Sequence, residues 1–196
     1  MNNVTWDWGL FEFLNFDGPA WLDVVMTKAS GMVVWIPLYI LILYLVWRRY
    51  SWRGIIAFIV AIGMAVLCAD VISGIFKHQG ILADVWPSFP ARLRPMHTPA
   101  GLDFATNGYS TGFLYGTVSG HTATIVAIAL LASKAVGRGW FTWLMACVAV
   151  VICYSRIYLA CHFPQDILLG AVVGIVSGIV GLALFKIGLR IGKRKA

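Results

Sequence analysis

The chain has 196 residues, of which 60% are hydrophobic and only 12% are charged. Soluble domains average about 45–50% apolar and about 25% charged residues, so this composition excludes an ordinary soluble protein and is typical of a membrane protein. The length suits one compact unit, and we expect a single membrane-embedded domain over residues 1–196. The formal net charge is +7. Its basic residues lie between apolar segments and at the C-terminus, which argues against nucleic acid as a partner.

The N-terminal segment combines aromatic side chains with acids, a glycine and a proline over residues 6–28. Aromatic rings favour the headgroup level of a membrane, where the ring body is in an apolar layer and its tip is wet. We therefore expect residues 1–30 to form an interfacial segment. An amphipathic helix packed on the bundle explains the pattern equally well. Residues 1–20 have no basic start and no apolar core, so we expect no cleavable signal peptide.

Five apolar segments follow, and each is a candidate membrane span because a span needs about 20 apolar residues. They cover residues 31–47, 54–76, 120–136, 140–158 and 167–185. The third begins with polar side chains, so we expect its first turn to line a wet site. The sequence predicts an all-α fold, a polytopic membrane bundle of five to six transmembrane helices.

Charge predicts the orientation of this bundle. Ten of the fifteen Lys and Arg residues follow the first span, follow the third span or lie in the basic tail 186–196, and no acid accompanies them. The opposite side would hold the long loop 77–119 and seven of the eight acids. By the positive-inside rule, the C-terminus is cytoplasmic and the loop 77–119 lies outside.

His162 and Asp166 are four residues apart where the fifth span begins, and Pro164 between them suits the first turn of a helix. At this spacing the carboxylate can accept a hydrogen bond from one imidazole nitrogen and leave the other free to attack. A helix N-terminus also favours a phosphate. Arg156 lies six residues earlier and offers a guanidinium that matches phosphate oxygens. A plain helix cap formed by His162 and Asp166 is the alternative.

Two further segments place polar groups on the same predicted side. Ser119, Gly120 and His121 precede the third span. The small residues let backbone N–H groups approach an anion, and His121 can protonate a leaving oxygen. A serine N-cap with a polar first turn is the alternative. Arg94 lies beside the rigid Pro95, and a solvated basic loop is the alternative there.

Together the three segments resemble the type 2 phosphatidic acid phosphatase superfamily, whose pattern is Lys-x6-Arg-Pro, Pro-Ser-Gly-His and Ser-Arg-x5-His-x3-Asp. The third block matches fully at residues 155–166, and the second matches with Val118 in place of proline. The first matches only at Arg94 and the following proline. Lys77 and Arg92 are the two candidates for its lysine, and Lys77 would imply an insertion within the loop that follows it.

The resemblance implies that His162 attacks phosphorus, that Asp166 orients it and that His121 protonates the leaving group. It also implies that the phosphate is held by further residues, namely Arg94, Arg156, Ser119, Gly120 and Lys77. No cofactor and no metal is implied. The site would face the periplasm or outside of a bacterial inner (cytoplasmic) membrane.

The expected activity is therefore hydrolysis of a lipid phosphate monoester or diphosphate through a phosphohistidine, with undecaprenyl diphosphate or lipid A favoured and membrane lipids as partners. Two alternatives share the same residues: a lipid phosphotransferase, and a non-catalytic protein that binds lipid phosphates. The sequence leaves open the oligomeric state and the role of the loop 78–91, which contains two aromatic residues and could cover the headgroup.

Overall fold

The computed structural model describes residues 5–99 and 104–194, and every regular element in these ranges is helical. The α-helices are α1 Thr5–Leu14, α2 Ala20–Ser30, α3 Ile36–Ile75, α4 Gly120–Val136, α5 Gly139–Tyr158 and α6 Pro164–Arg194, with short 3₁₀ helices at Val33–Trp35 and Pro95–His97. The predicted all-α fold class is confirmed. Parts of the predicted N-terminal segment, loop and tail lie outside the described residues, namely 1–4, 100–103 and 195–196.

Three helices in the described ranges are long and apolar enough to cross a membrane: Val33–Ile75, Gly139–Tyr158 and Pro164–Ile191. The 40 residues of α3 would extend about 60 Å at about 1.5 Å per residue, twice the thickness of a hydrocarbon core. The helix is broken at Ser51, whose φ of 59° and ψ of −171° are not helical. This break lies between the first and second predicted spans. The total of five to six spans stays a prediction.

The outer surface of the bundle is apolar. Large apolar side chains on α3 and α6 are about half exposed, among them Ile56, Val60, Val172 and Ile179. The interior is closely packed around the side chains of Phe58, Leu131, Met145 and Phe185, each at most 2% exposed. An apolar core inside an apolar exterior fits a bundle that lipid surrounds, because water would not tolerate so large an apolar surface.

Glycines on one face of α6 allow α4 to approach its backbone closely. A Cβ placed on Gly170 or Gly174 would lie 2.6 Å from the carbonyl oxygens of Ser119 and Ala123, respectively. Small residues at four-residue spacing are a usual way for membrane helices to pack tightly. The first turns of α4 and α6 are thereby brought side by side, and the Ser119 amide donates to the Asp166 carbonyl at 3.0 Å.

The N-terminal helix α1 packs on the bundle. Phe11 is fully buried, with its ring 4.9 Å from that of Phe104 and 5.0 Å from that of Phe163. These contacts support the packed-helix interpretation for α1, while the interfacial placement of residues 1–30 stays a prediction. In the part of the predicted basic tail that the structure describes, α6 continues as a helix through Arg194. Lys186 and Arg190 are exposed four residues apart, which is compatible with a helix that continues beyond the apolar segment.

The basic segments that the sequence assigns to the cytoplasm gather at one end of the bundle. Arg49 donates to the carbonyl oxygens of Ala135 and Val136 at 3.1 and 2.6 Å, at the C-terminus of α4. A cavity of about 980 Å³ opens beside the break at Ser51, and its lining includes Arg48, Arg53 and Arg190. We call this the arginine end. The opposite end, which contains His121, His162 and Asp166, is the histidine end.

Candidate active site

The dyad of His162 and Asp166 forms at the start of α6, as its spacing predicts. Both side chains are 1% exposed. The Nδ1 of His162 lies 3.5 Å from Oδ2 of Asp166, and the same carboxylate oxygen accepts from the Phe163 amide at 3.0 Å. This second contact is the reciprocal half of a capping box, in which the third helical residue caps the residue before the helix. Asp166 therefore caps α6 and faces the imidazole at the same time.

Arg94 defines which nitrogen of His162 is free. Its Nη1 lies 3.2 Å from Nε2 of His162 and donates to the Cys161 carbonyl at 3.2 Å. Because a guanidinium only donates, Nε2 is the acceptor and Nδ1 carries the hydrogen that faces Asp166. Burial lowers the pKa of His162 well below its usual value, and nearby cations lower it further. The ring is therefore neutral, with a lone pair on Nε2, at physiological pH.

A cavity of about 500 Å³ opens onto His162 and is lined by residues from all three sequence blocks, including Lys77, Arg94, Gly120, His121 and His162. His121 is exposed in the first turn of α4. Lys77 is 8% exposed, and a Cβ added to Gly120 would lie 3.0 Å from its Nζ. Because Gly120 has no side chain, the ammonium of Lys77 can lie beside the start of α4.

Burial and the charge of Arg94 lower the pKa of Lys77 to about 8, while the carboxylate of Asp70 opposes this shift. Asp70 lines the same cavity. An ammonium with this pKa is mostly protonated at neutral pH, and an anion in the cavity would favour the protonated form further.

Arg156 is 2% exposed at the C-terminal end of α5, behind His162 rather than among the cavity-lining residues. Its Nη1 donates to the hydroxyl of Ser30 on α2, and its backbone carbonyl accepts from the amides of Cys161 and His162 at 2.9 and 3.1 Å. The Nε atoms of Arg156 and Arg94 are both buried without a hydrogen-bond partner in the described part of the chain. A buried donor is costly when unpaired, and a phosphate oxygen is a suitable acceptor.

Ser119 caps α4, as the alternative interpretation of its motif expects. Its side-chain oxygen accepts from the Thr122 amide at 3.4 Å, and its own amide donates to Asp166. The residue is fully buried. The hydroxyl hydrogen can still be donated to a ligand, because the cap uses only a lone pair of the oxygen.

A family model described as PAP2 superfamily matches residues 70–187, a range that holds all three blocks. The chain belongs to the PAP2 superfamily. This membership confirms the resemblance that the motifs indicate, even though the first block has Pro87 where the pattern has lysine.

Three curated relatives match this chain over about two thirds to three quarters of their own length. The chain is 30% identical to a lipid A 4′-phosphatase of Porphyromonas gingivalis, over 86% of this chain and 68% of the relative. It is 28% identical to a lipid A 4′-phosphatase of Bacteroides thetaiotaomicron, over 86% and 72%, and 27% identical to an undecaprenyl-diphosphatase of Sulfolobus acidocaldarius, over 88% and 75%.

The crystal structure of Aquifex aeolicus LpxE superimposes with a TM-score of 0.63, over 89% of this chain and 93% of that one, at 23% identity. At this identity the likeness concerns the fold alone. It agrees with the all-helical arrangement of the described residues.

Of the two candidates for the first-block charge of this PAP2 protein, the structure places Lys77 in the cavity and Arg92 outside its lining. Arg92 points towards α1, where its Nη1 lies 2.6 Å from Oδ2 of Asp7. The loop after Lys77 lies beside the site, since Gln79 and Gly80 also line the cavity.

Sequence reasoning missed Gly116, which packs against the dyad. A Cβ at this position would lie 3.2 Å from Oδ2 of Asp166 and 3.4 Å from Nδ1 of His162. The glycine lies two residues before Val118, the first position of the second block, but a lone glycine in a loop gives no signal of such contact. In residues 5–99 and 104–194, no group of three or more His, Cys, Asp or Glu side chains is placed to hold a metal ion.

Proposed function

We propose that this PAP2 protein is an integral-membrane lipid phosphatase in which His162 attacks the phosphorus of a lipid phosphate. The observation that supports it best is the buried, neutral His162 whose Nε2 faces Arg94 in a cavity beside Lys77 and His121. Neutral imidazole is the nucleophilic form, and positive groups around the phosphorus stabilise the charge that spreads over its oxygens.

In the first step, a bond forms between Nε2 of His162 and phosphorus while the bond from phosphorus to the leaving oxygen breaks. The anionic phosphate in the cavity favours the protonated form of His121, which donates its proton to that oxygen. The imidazole becomes cationic, with Nδ1–H facing the carboxylate of Asp166, which stabilises it. Arg94 exchanges its contact with Nε2 for a phosphate oxygen, and Lys77 holds another. Arg156, behind His162, adds the positive charge of a buried guanidinium whose Nε lacks a partner among the described residues.

In the second step, water attacks phosphorus, His121 takes a proton from it, and the bond between phosphorus and Nε2 breaks. Inorganic phosphate leaves, and His162 returns to its neutral form. The same intermediate could pass its phosphate to another acceptor, so a phosphotransferase is distinguished only by where the phosphate goes.

We favour the phosphate of an acylated sugar, such as lipid A, as substrate. Two of the relatives described above are lipid A 4′-phosphatases, and Asp70 adds a carboxylate to an otherwise cationic cavity. A carboxylate accepts hydrogen bonds from sugar hydroxyl or N–H groups and repels a second phosphate. Undecaprenyl diphosphate is the second candidate, since a further relative is an undecaprenyl-diphosphatase.

The charge pattern supports a site on the outer face of a bacterial inner membrane. The basic segments meet at the arginine end, and the cavity with the dyad is at the other. By the positive-inside rule, the arginine end is cytoplasmic and the histidine end faces the periplasm.

The decisive experiment measures phosphate release by the purified protein, in a chelator, from lipid A, undecaprenyl diphosphate, phosphatidylglycerol phosphate and phosphatidic acid. We expect release from lipid A to be fastest and to disappear in His162→Ala. Absence of release from every lipid by folded wild-type protein would refute hydrolysis, and label transfer to an added lipid acceptor would then support the transferase.

A second arm tests the substrate argument. Asp70→Asn should lower kcat/KM for lipid A, because the variant loses the carboxylate that accepts hydrogen bonds from the sugar. It should raise kcat/KM for undecaprenyl diphosphate, because the variant no longer repels the second phosphate. An unchanged ratio of the two values would show that Asp70 does not select the substrate.

A further inference from the structure

Helix α1 places a buried carboxylate behind the dyad. The side chain of Asp7 is fully buried. Its Oδ2 lies 2.6 Å from Nη1 of Arg92, and its Oδ1 accepts a hydrogen bond from the backbone amide of Gln165 at 2.7 Å. A buried charge is costly unless it is paired and hydrogen-bonded, and both oxygens of this carboxylate meet that condition. The pairing links α1 to the first turn of α6, which also contains Asp166.

Arg92 lies between the two carboxylates. The nitrogen that contacts Asp7 is 3.9 Å from Oδ1 of Asp166, and the guanidinium carbon is 3.6 Å from the ring centroid of Phe163. The other oxygen of Asp166 faces His162 at 3.5 Å. The order of groups is therefore Asp7, Arg92, Asp166 and His162, and the single positive charge lies between two negative ones.

We propose that Asp7 and Arg92 are positioning residues for the reaction, acting on His162 through Asp166. This inference rests on the proposed function of His162 as nucleophile. Phe163 and Asp7 hold the guanidinium flat on one side of Asp166. The guanidinium attracts Oδ1 of Asp166. This attraction orients the carboxylate so that Oδ2 faces Nδ1 of the imidazole.

The physical reason is that Asp166 must stay ionised and oriented in a site with little water. One carboxylate oxygen is used by the Phe163 amide and the imidazole, and Arg92 supplies charge to the other. Loss of the fixed guanidinium would weaken stabilisation of the imidazolium that forms with the phosphoenzyme. The expected effect is on kcat, because Arg92 is outside the cavity lining and does not reach the substrate.

A purely structural role for Asp7 is the competing explanation, since its contact with the Gln165 amide tethers α1 to α6. Asp7→Asn separates the two roles. The asparagine oxygen can still accept from that amide, whereas the negative charge that holds Arg92 is removed. Asp17→Asn is the matched control, because it makes the same chemical change at an exposed acid of the same N-terminal region.

The experiment measures kcat, KM and thermal stability for wild type, Asp7→Asn, Arg92→Gln, the double variant, Arg92→Lys and Asp17→Asn in detergent. For Asp7→Asn and Arg92→Gln we expect kcat to fall on the order of tenfold, the lower end of the loss seen when hydrogen-bond partners of metal-bound histidines are removed. KM should change less than about twofold, and the double variant should be no slower than the slower single one. Arg92→Lys should recover part of kcat.

Wild-type kcat in a folded Asp7→Asn variant would overturn the proposal, as would losses that add up in the double variant. A fall in thermal stability with unchanged kcat would assign Asp7 to structure alone. If Asp7→Asn does not fold, the kcat values of Arg92→Gln and Arg92→Lys test the proposal. Arg92 is partly exposed, so we expect these two variants to fold. Inactive wild-type protein would instead contradict the proposed function. Failure of the proposed function is thereby distinguished from failure of the positioning role of Asp7 and Arg92.

Discussion

The arginine end and the histidine end of the bundle both have a cavity and several arginines, yet only one has the groups for chemistry. The cavity at the arginine end is the larger, at about 980 Å³ against about 500 Å³. Its basic residues Arg48, Arg53 and Arg190 are exposed. At the histidine end, Arg94 and Arg156 are 5% and 2% exposed.

Burial, rather than charge or cavity size, distinguishes the two ends. An exposed guanidinium stays solvated, and its position follows from membrane topology. A buried guanidinium pays a desolvation penalty that an anion must offset. The buried Nε donors of Arg94 and Arg156 therefore indicate a phosphate at the histidine end, and comparison of matched variants at the two ends tests this.

Apart from removal of the nucleophile His162, the largest effect is expected from loss of the general acid. His121→Ala should lower kcat for a lipid phosphate by about 10³-fold, within the range for a positioned acid or base. With p-nitrophenyl phosphate, whose leaving group needs no proton, the loss in the phosphorylation step should be far smaller. The control is His97→Ala, since His97 interacts with the Thr111 carbonyl outside the cavity lining. Equal losses of kcat/KM, which reports only the steps through departure of the leaving group, with both substrates would exclude His121 as the acid.

A matched pair of arginine variants compares the two ends directly. Arg94→Lys should lower kcat about 100-fold, because lysine keeps the charge but cannot bind phosphate with a two-pronged guanidinium. Arg48→Lys, at the arginine end, should stay within about twofold of wild type. Both are measured by phosphate release from lipid A. A large loss in Arg48→Lys would show that the arginine end takes part in turnover.

The pH profile tests the buried ammonium. Since the pKa of Lys77 is lowered to about 8, it loses its charge as pH rises through that value, and kcat/KM should fall above it. The ratio kcat/KM reports groups of the free enzyme, which is the state described by this pKa. Lys77→Arg should remove the alkaline fall, because a guanidinium stays charged. An unchanged alkaline limb in this variant would assign it to another group.

The smallest effect is expected from crowding of the dyad. Gly116→Ala places a methyl group 3.2 Å from the Asp166 carboxylate, so the dyad must shift by a few tenths of an ångström. We expect kcat to fall on the order of fivefold, because small displacements of reacting groups are costly. Gly112→Ala is the control, with no atom within 4 Å of the added carbon. Equal kcat in the two variants would mean that the dyad tolerates the shift.

Local signals in the sequence anticipated a large part of this molecule. Apolar segments predicted the helices, because a helix that crosses the hydrocarbon core needs apolar side chains along its length. The spacing of His162 and Asp166 predicted their proximity because Asp166, in the first turn of α6, lies one helical turn from the residues that precede the helix. The break between the first two spans was visible as a cluster of basic residues around Ser51.

Other features depend on contacts between distant segments and left no local signal. Lys77 was the favoured candidate for the first-block charge, but Arg92 stayed open beside it, since either side chain supplies a positive charge near the first block. The fold separates them, with Lys77 beside Gly120 and Arg92 beside Asp7. Asp7 itself looked like one of several acids in an aromatic segment, although α1 buries it behind the dyad.

The sequence by itself determined the superfamily, the helical class and the residues of the three blocks, because these depend on residue type, order and short spacing. Only the tertiary structure decided which cation faces His162, which nitrogen of that ring is free and which remote carboxylate pairs with Arg92 beside Asp166. Those properties depend on burial and on ångström-scale distances between segments far apart in the chain, and these distances exist only once α1, α4 and α6 have packed together.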